Sequence, residues 1–251
     1  MPDLRAQSVQ FVWFTWETPE QKADAIMQTL LGLEADRMQT NRAPGPAAPF
    51  LSSAVRVEQN VELTLNVSPG RIDLYAQPTM TEHLKGLPTL DADQQTSTIL
   101  ESLKGVDFSF LRNIYRLALV VKYVDPVDTL EDGKVRFFSK LGTTAVDGEL
   151  TDLIFSINKR REVPKYGITT NRLLRYSVDT HQKIEVGFDF NARRPTNNNR
   201  THAETVSLST ISDINTVPSN TPIPSNIVFG ILDELLSQSR ATYEIETIRD
   251  L

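Results

Sequence analysis

Positive charge is concentrated in one part of this acidic chain. The 251 residues hold 26 Lys and Arg against 32 Asp and Glu, yet residues 159–202 hold ten basic and only four acidic side chains. Guanidinium and ammonium groups at this density suit phosphate contacts, and such a split in sign indicates a surface for an anionic partner. We therefore predict a nucleic-acid or anion-binding site made of Lys159, Arg160, Arg161, Arg172, Arg175, Arg193, Arg194 and Arg200.

Two other interpretations of this basic segment stay open. Acids from elsewhere in the chain could cover it as a solvated sheet face, since the net charge of the whole chain is −6. The same cations could also contact a protein partner. Tyr166 and Tyr176 offer stacking surfaces for bases, but the aromatic motif of RRM domains and the loop of KH domains are absent from the sequence.

The histidines indicate no catalytic site. His83, His181 and His202 are far apart in the sequence, and none lies at metal-ligand spacing from another. No Gly-rich phosphate loop is present either. We predict no catalytic residue, no metal site and no cofactor. His202 stands out only because it follows the basic loop, where a solvated histidine is the competing interpretation.

Pairs of acids raise the question of a divalent cation, because neighbouring carboxylates can hold one. Asp91 and Asp93 precede a predicted helix, and Asp147 and Glu149 lie in a predicted turn. Carboxylates at such positions are more typical of helix caps and turns. The same interpretation applies to a second group of acids, Asp128, Glu131 and Asp132.

The large apolar side chains are expected in the core. Trp13 and Trp16 fit that expectation better than a role as a ligand platform. The Leu and Ile stripe of the last predicted helix also favours the core. The proline-rich segment before it, residues 217–226, would nevertheless allow that helix to dock on another subunit.

The composition is that of an ordinary globular protein. It is 39% hydrophobic and 23% charged, which is enough to build a core. The chain has no cysteine, so disulfides, thiolate metal sites and a Cys nucleophile are excluded. No secretory signal is visible, and the longest aliphatic run, Leu117–Val121, is far shorter than the roughly 20 residues of a bilayer span. We expect a cytoplasmic protein without a membrane contact.

The first half alternates strands with two helices. Residues 9–16 are apolar on both alternating faces, which predicts a strand in a sheet covered on both sides. Thr18, Pro19 and Gln21 form a capping signal for a helix over about 19–35. The remaining patterns predict strands over 54–58, 61–67 and 71–76 and a helix over 93–104.

The second half is predicted to be an antiparallel meander that ends in a helix. The strand over 114–124 is rich in β-branched residues, although its start at 110–118 is also compatible with a helix. Asp132 and Gly133 resemble a hairpin turn. The predicted strands are 134–140, 150–158, 169–178, 183–191 and 205–211, followed by a helix over 227–243.

These elements predict an α+β fold with mainly antiparallel sheets of about nine or ten strands and three principal helices. We divide it into two lobes, an N-terminal α+β lobe of residues 1–105 and a C-terminal lobe of residues 106–251 with the meander and terminal helix. One continuous domain is the alternative.

One segment resembles a motif of a sporadically distributed family of uncharacterised bacterial proteins. The stretch from Tyr115 to Asp125 is similar to the family's Arg-x-Gly-Leu-Arg-Tyr-Ile-Asn, with Ala118 where the family prefers Gly and Asp125 where it prefers Asn. The hairpin at 67–73 and the late helix also match the family's element order. The resemblance implies an accessory protein of the kind encoded near mobile or defence genes, and it carries over no catalytic residue.

Three functions are compatible with these patterns. The leading hypothesis is a non-catalytic binding or adaptor protein that assembles with a protein partner or with itself, in a bacterial accessory or defence system. The first alternative is nucleic-acid binding through residues 159–202. The second is a metal-dependent hydrolase or nuclease that uses Asp and Glu.

Overall fold

The fold was examined in a computed structural model. It describes residues 4–46, 48–79, 87–144, 148, 150, 152–181, 184–185, 188–189, 194–195, 200–201 and 205–251. The α-helices are α1 Ala23–Leu31, α2 Ala92–Leu103, α3 Leu130–Lys140 and α4 Ser225–Glu244. The strands are β1 Arg5–Thr15, β2 Arg37–Thr40, β3 Ser52–Glu58, β4 Val61–Ser68, β5 Arg71–Pro78, β6 Leu90–Asp91, β7 Ile114–Val127, β8 Ile154–Val163, β9 Ile168–His181, β10 Ile184–Glu185, β11 Phe188–Asp189, β12 Arg194–Pro195, β13 Arg200–Thr201 and β14 Thr205–Thr216.

A single antiparallel sheet organises the described part of the chain. Nine strands follow the order β2-β3-β4-β5-β1-β7-β14-β9-β8, and the short β6 pairs with β1. Between β9 and β14, two small two-stranded sheets form from β10 with β13 and from β11 with β12. The predicted α+β class and the antiparallel pairing are therefore confirmed. The predicted lobe boundary near residue 106 stays a prediction, and β1 pairs directly with β7 across it.

The helices lie on one face of this sheet, called here the helix face. α1 packs on β3 and β4, α2 on β1, α4 on β14 and β7, and α3 on β9, β14 and β7. Residues 9, 11 and 13 of β1 meet the fully buried Ile231, Leu232 and Leu235 of α4 in the main core. Burying each such aliphatic side chain contributes about 1.5–3 kcal/mol. The strand residues that alternate with those facing the helices form the opposite face of the sheet, called here the open face.

The open face tests the expectation of a sheet covered on both sides, and Val12 of β1 is only 1% exposed on it. No helix of the described residues packs on it. The apolar Val12 and Phe14 of β1 lie there beside polar neighbours, since Val12 is opposite Asp73 and Phe14 is opposite Arg71 and Arg116. An antiparallel sheet is commonly buried on one face and wet on the other. The sequence of β1 alone did not reveal its polar neighbours.

Helix α3 corrects two further predictions, the strand over 134–140 and the turn at Asp132 and Gly133. The Thr129 side chain accepts a hydrogen bond from the Asp132 backbone N–H and so caps the helix. Phe137 and Phe138 then bury the helix against the sheet. A Cβ on Gly133 would lie 2.8 Å from Cγ1 of Val178, so this glycine permits close packing instead of a turn. The described residues thus contain four α-helices, not three.

Most other elements agree with the sequence within a few residues, but β2 was not predicted and β8 spans Ile154–Val163 where a strand over 150–158 was expected. β14 continues to Thr216. Helix α1 has only nine residues: its N-cap is Lys22, so the capping signal predicted at Thr18 is wrong, and Gly32, with a left-handed φ of 69°, ends the helix. Of the strand predicted over 183–191, the structure describes only β10 and β11. None of the helices in the described part of the chain is long and apolar enough to cross a lipid bilayer.

Candidate binding surface

Five side chains form an aromatic–arginine cluster at one end of the open face, Phe14, Trp16, Arg71, Tyr115 and Arg116. Three neighbouring strands supply them. β1 ends at Thr15, just before Trp16, while β5 begins at Arg71 and β7 begins at Ile114. The antiparallel register places Arg71 and Arg116 on either side of Phe14. Side chains from three distant parts of the sequence therefore meet around one phenyl ring.

A β-bulge in β7 completes the cluster. Phe14 pairs with Arg116 but the next residue, Thr15, pairs with Ile114, so Tyr115 is an extra residue on β7. A bulge sets two residues against one and can re-aim a side chain. As a result, Phe14 contacts both Tyr115, at 6.3 Å between ring centroids, and Arg116, whose Cζ lies 4.9 Å from the ring centroid.

The two arginines of the cluster differ in their partners. Arg71 donates from Nε and Nη2 to the buried Asp73 carboxylate, at 2.7–2.9 Å, and its Cζ lies 5.2 Å from the Phe14 ring centroid. Arg116 has no carboxylate partner among the described residues, and its buried Nε has no hydrogen-bond acceptor there. Its guanidinium is thus held in place by stacking and has capacity to bind an acceptor from a ligand.

Trp16 is the exposed element of the cluster. Its ring stacks on Tyr115 at 6.1 Å and 15°, and the residue is still 50% exposed. The expectation that both tryptophans lie in the core is therefore correct for Trp13, which is fully buried, and wrong for Trp16. The apolar sequence around Trp16 predicted burial and gave no sign of this exposure, because its stacking partner Tyr115 is distant in the chain.

Beside the cluster, polar side chains continue along the open face. Asn171 donates to Asn215 at 3.0 Å, and Asn215 donates to Asp213 at 2.8 Å. Arg160 pairs in register with Asn171 and so lies on the same face. The open face therefore also carries amides on β14 and β9 and a further guanidinium on β8, which is three strands from β7 in the sheet order.

A second polar group lies at the other end of the open face. His181 Nε2 and Ser207 Oγ are 3.2 Å apart, but Ser207 is fully buried. Asp179 accepts from Ser209 at 2.7 Å and forms an ion pair with Lys122 at 3.3 Å. Because the serine is inaccessible and the carboxylate is engaged elsewhere, the arrangement supports the sheet and does not make a nucleophile.

Acidification should lower the free energy of unfolding through His181 in this polar group. Burial lowers the pKa of His181, the Asp179 carboxylate opposes that shift and Lys122 adds to it. The unfolded chain then binds more protons, so the stability contributed by His181 is complete above about pH 6.5 and is lost as the pH falls. Urea unfolding at pH 7.5 and 5.5 should show a smaller loss for His181→Gln than for the wild type. An identical loss in both proteins would contradict the assignment.

Asp179 should contribute to the pH dependence of stability at lower pH than His181. Burial raises its pKa, but hydrogen bonds from Ser209 and Ser177 and the charge of Lys122 outweigh burial and hold the pKa below its ordinary value. Its contribution is present above about pH 4 and is lost below it.

The structure distributes the basic residues predicted from the sequence among several places. Lys159 and Arg172 both donate to the Leu251 carbonyl oxygen on the helix face. Burial lowers the pKa of Arg172, and the nearby charge of Arg161 lowers it further. By strand alternation Arg160 and Arg175 lie on the open face. Two others lie in the small two-stranded sheets, where Arg194 pairs in register with Asp189 and Arg200 with Glu185. Arg193 lies outside the described residues.

The acids singled out from the sequence take structural roles where the structure describes them. Asp91 caps α2 by accepting from the Gln94 backbone N–H, and Asp93 pairs with Arg240 at 2.6 Å. Within the described ranges, no three His, Asp or Glu residues are placed to hold a metal ion. Outside those ranges lie His83, Asp147, Glu149 and His202.

No family model, curated protein or solved structure that was compared with this chain matches it.

Proposed function

We propose that this protein is a non-catalytic binding protein that assembles with a protein partner through the aromatic–arginine cluster. The observation that carries the proposal is Trp16, half-exposed and stacked on Tyr115, beside Arg116, whose buried Nε has no hydrogen-bond acceptor among the described residues. Trp, Tyr and Arg are the residues that most often dominate the energetics of protein interfaces.

The cluster is also rigid before any partner binds. Phe14 is held between two guanidinium groups, and Tyr115 is fixed by the bulge and by stacking against Trp16. Binding through preordered side chains loses less conformational entropy than binding through mobile ones. The cluster carries neither a carboxylate nor a histidine, so its chemistry favours recognition over proton transfer.

The partner surface follows from this chemistry. It should present an apolar or aromatic group to Trp16 and a carboxylate or carbonyl oxygen to Arg116. The proposal that such a partner belongs to a bacterial accessory or defence system has one support, the sequence resemblance around Tyr115. A cytoplasmic location likewise stays a prediction from the sequence.

Partner capture with matched variants tests the proposal. Tagged wild type, Trp16→Ala, Arg116→Ala and the control Met38→Ala are used as baits in lysate of the source cells. Met38 is a suitable control because it is 44% exposed but lies on β2, at the far edge of the sheet. We expect the protein that the wild type retains to be lost at least tenfold in both cluster variants, which is about 1.4 kcal/mol, and kept by Met38→Ala.

Two results would contradict the proposal. One is equal retention of the same protein by wild type and Trp16→Ala. The other is the absence of any retained protein at near-stoichiometric amount. Far-UV circular dichroism of each bait would check that the variants are folded, so that a lost contact is not confused with a lost fold.

Nucleic-acid binding is the second candidate. It is favoured by the position of Arg160, Asn171 and Asn215 on the same face of the sheet as the aromatic–arginine cluster, since bases stack on aromatic rings and amides and arginines bind phosphates. Anisotropy titrations with single- and double-stranded DNA and RNA should then show binding that weakens steeply with salt. Changing Arg160, Arg161, Arg193 and Arg194 to Glu should abolish it, and unchanged binding would eliminate the role of the basic segment.

A further inference from the structure

Strand β8 is a long and regular edge of the sheet. Among the described residues it pairs with β9 alone, and it keeps one continuous register from Ile154 to Val163. The opposite edge, β2, has only four residues. Proteins usually shorten, bulge or twist an exposed edge because its unpaired N–H and C=O groups are a template for another strand. β8 is neither short nor bulged, and the protection it does carry is a run of charged side chains.

The charge of β8 points to a particular kind of strand. Lys159, Arg160 and Arg161 are consecutive and exposed, and alternation places Arg160 on the open face and the other two on the helix face. Lys159 contacts the Leu251 carbonyl oxygen, whereas Arg160 and Arg161 form no ion pair within the described ranges. An added strand would therefore meet cations on both of its faces.

The other half of β8 is less polar. Ile154 is 56% exposed, and Phe155 and Ile157 are partly buried against the smaller core that contains Phe137. The edge thus changes along its length from apolar, at residues 154–157, to basic, at residues 159–161. A complementary strand has an apolar and an acidic half in a fixed order.

We propose that β8 accepts an extended acidic segment of a partner as an additional antiparallel strand. Main-chain hydrogen bonds to the outward groups of β8 supply affinity, as in other cases of strand addition. Acidic residues opposite 159–161 and apolar residues opposite 154–157 supply specificity. In the antiparallel direction, the acidic half of the segment is its N-terminal half.

The charges disfavour a second copy of this chain as the occupant. A symmetric antiparallel pairing of two β8 strands over residues 154–163 would place Lys159, Arg160 and Arg161 opposite Asn158, Ile157 and Ser156 of the other copy. Such a pairing offers the basic triplet no acid across the strands, whereas opposite charges in cross-strand pairs are stabilising. The same cations reject neutral or basic strands and accept an acidic one, so they both protect the edge and select its partner.

A designed peptide tests this inference on the full chain. The probe is fluorescein-labelled Asp-Glu-Asp-Thr-Val-Thr-Val-Thr, titrated by anisotropy at low and physiological salt. Its controls are the reversed sequence, the same sequence with Lys for each acid, and one with Pro for each Val, since proline removes strand hydrogen bonds. We expect the probe to bind at least tenfold more tightly than each control.

Matched protein variants locate the contact. Arg160→Glu with Arg161→Glu should weaken probe binding at least tenfold. Arg37→Glu with Arg42→Glu makes the same charge change outside β8, and this control should stay within about twofold because only long-range electrostatics is altered. Trp16→Ala should also leave probe binding unchanged, which separates this edge from the aromatic–arginine cluster. Hydrogen–deuterium exchange should show new protection in residues 154–163.

Several outcomes would overturn the inference. Absence of probe binding at millimolar concentration is one. Binding that protects no amide of β8 is another, since it would indicate loose electrostatic attraction of the kind an oligonucleotide also shows. Light scattering that reveals a wild-type dimer lost in Arg160→Glu with Arg161→Glu would assign the edge to a second copy instead.

Discussion

Replacing Trp13 by alanine is expected to lower the free energy of unfolding by about 3–5 kcal/mol. Trp13 is completely buried among other side chains of the core, with a relative accessibility of 0%. It lies on β1, between β5 and β7, and its ring stacks on Phe11 at 6.5 Å between centroids. The cavity left by the indole would open in the middle of the largest hydrophobic core.

The neighbouring tryptophan provides the control. Trp16→Ala removes an exposed ring whose stacking on Tyr115 is worth about 0.5–1.5 kcal/mol, so it should affect stability far less. Trp13→Phe should lie between the two, because Trp13 Nε1 is buried without a hydrogen-bond partner and phenylalanine removes that unsatisfied donor. Urea unfolding followed by far-UV circular dichroism measures all three variants. Equal losses for Trp13→Ala and Trp16→Ala would contradict the assigned positions.

The strands were predictable where one face is polar. In β4, Val61, Leu63, Leu65 and Val67 alternate with polar residues, and this period of two is decisive for a strand with one wet face. Helix α3 was missed because Asp132 and Gly133 resemble a hairpin turn in sequence. The distinction depends on the Thr129 cap and on close packing against Val178, which is a contact between distant segments.

The candidate binding surface was less predictable than the fold. Phe14 and Arg116 are far apart in the chain, and only the pairing of β1 with β7 brings them together. The bulge that adds Tyr115 depends on a one-residue difference in register, which the sequence does not display. The basic segment shows the opposite case. Its residues are adjacent in sequence, but strand alternation sends Arg160 and Arg161 to different faces of the sheet.

Arg71→Ala should lower the free energy of unfolding by about 2 kcal/mol, the second-largest effect expected here. The Asp73 side chain is 7% exposed and accepts from Arg71 and, at 2.6 Å, from Gln10 Nε2. Without the Arg71 guanidinium, the buried Asp73 carboxylate would keep only one side-chain hydrogen-bond donor, the neutral amide of Gln10. The value is below that of a fully buried ion pair because the Arg71 side chain is 41% exposed.

A double-mutant cycle with Asp73→Asn distinguishes this charge effect from lost packing. In the Arg71→Ala background, Asp73→Asn should restore part of the stability, because a neutral amide is cheaper to bury than an unpaired carboxylate. Arg37→Ala is the matched control, since its ion pair with Glu62 is exposed and should contribute less than about 1 kcal/mol. Purely additive effects of the two substitutions would show that Arg71 acts only by covering Phe14. A restored variant that still fails to capture the partner would instead place Arg71 in the binding surface, where its guanidinium lies over the Phe14 ring.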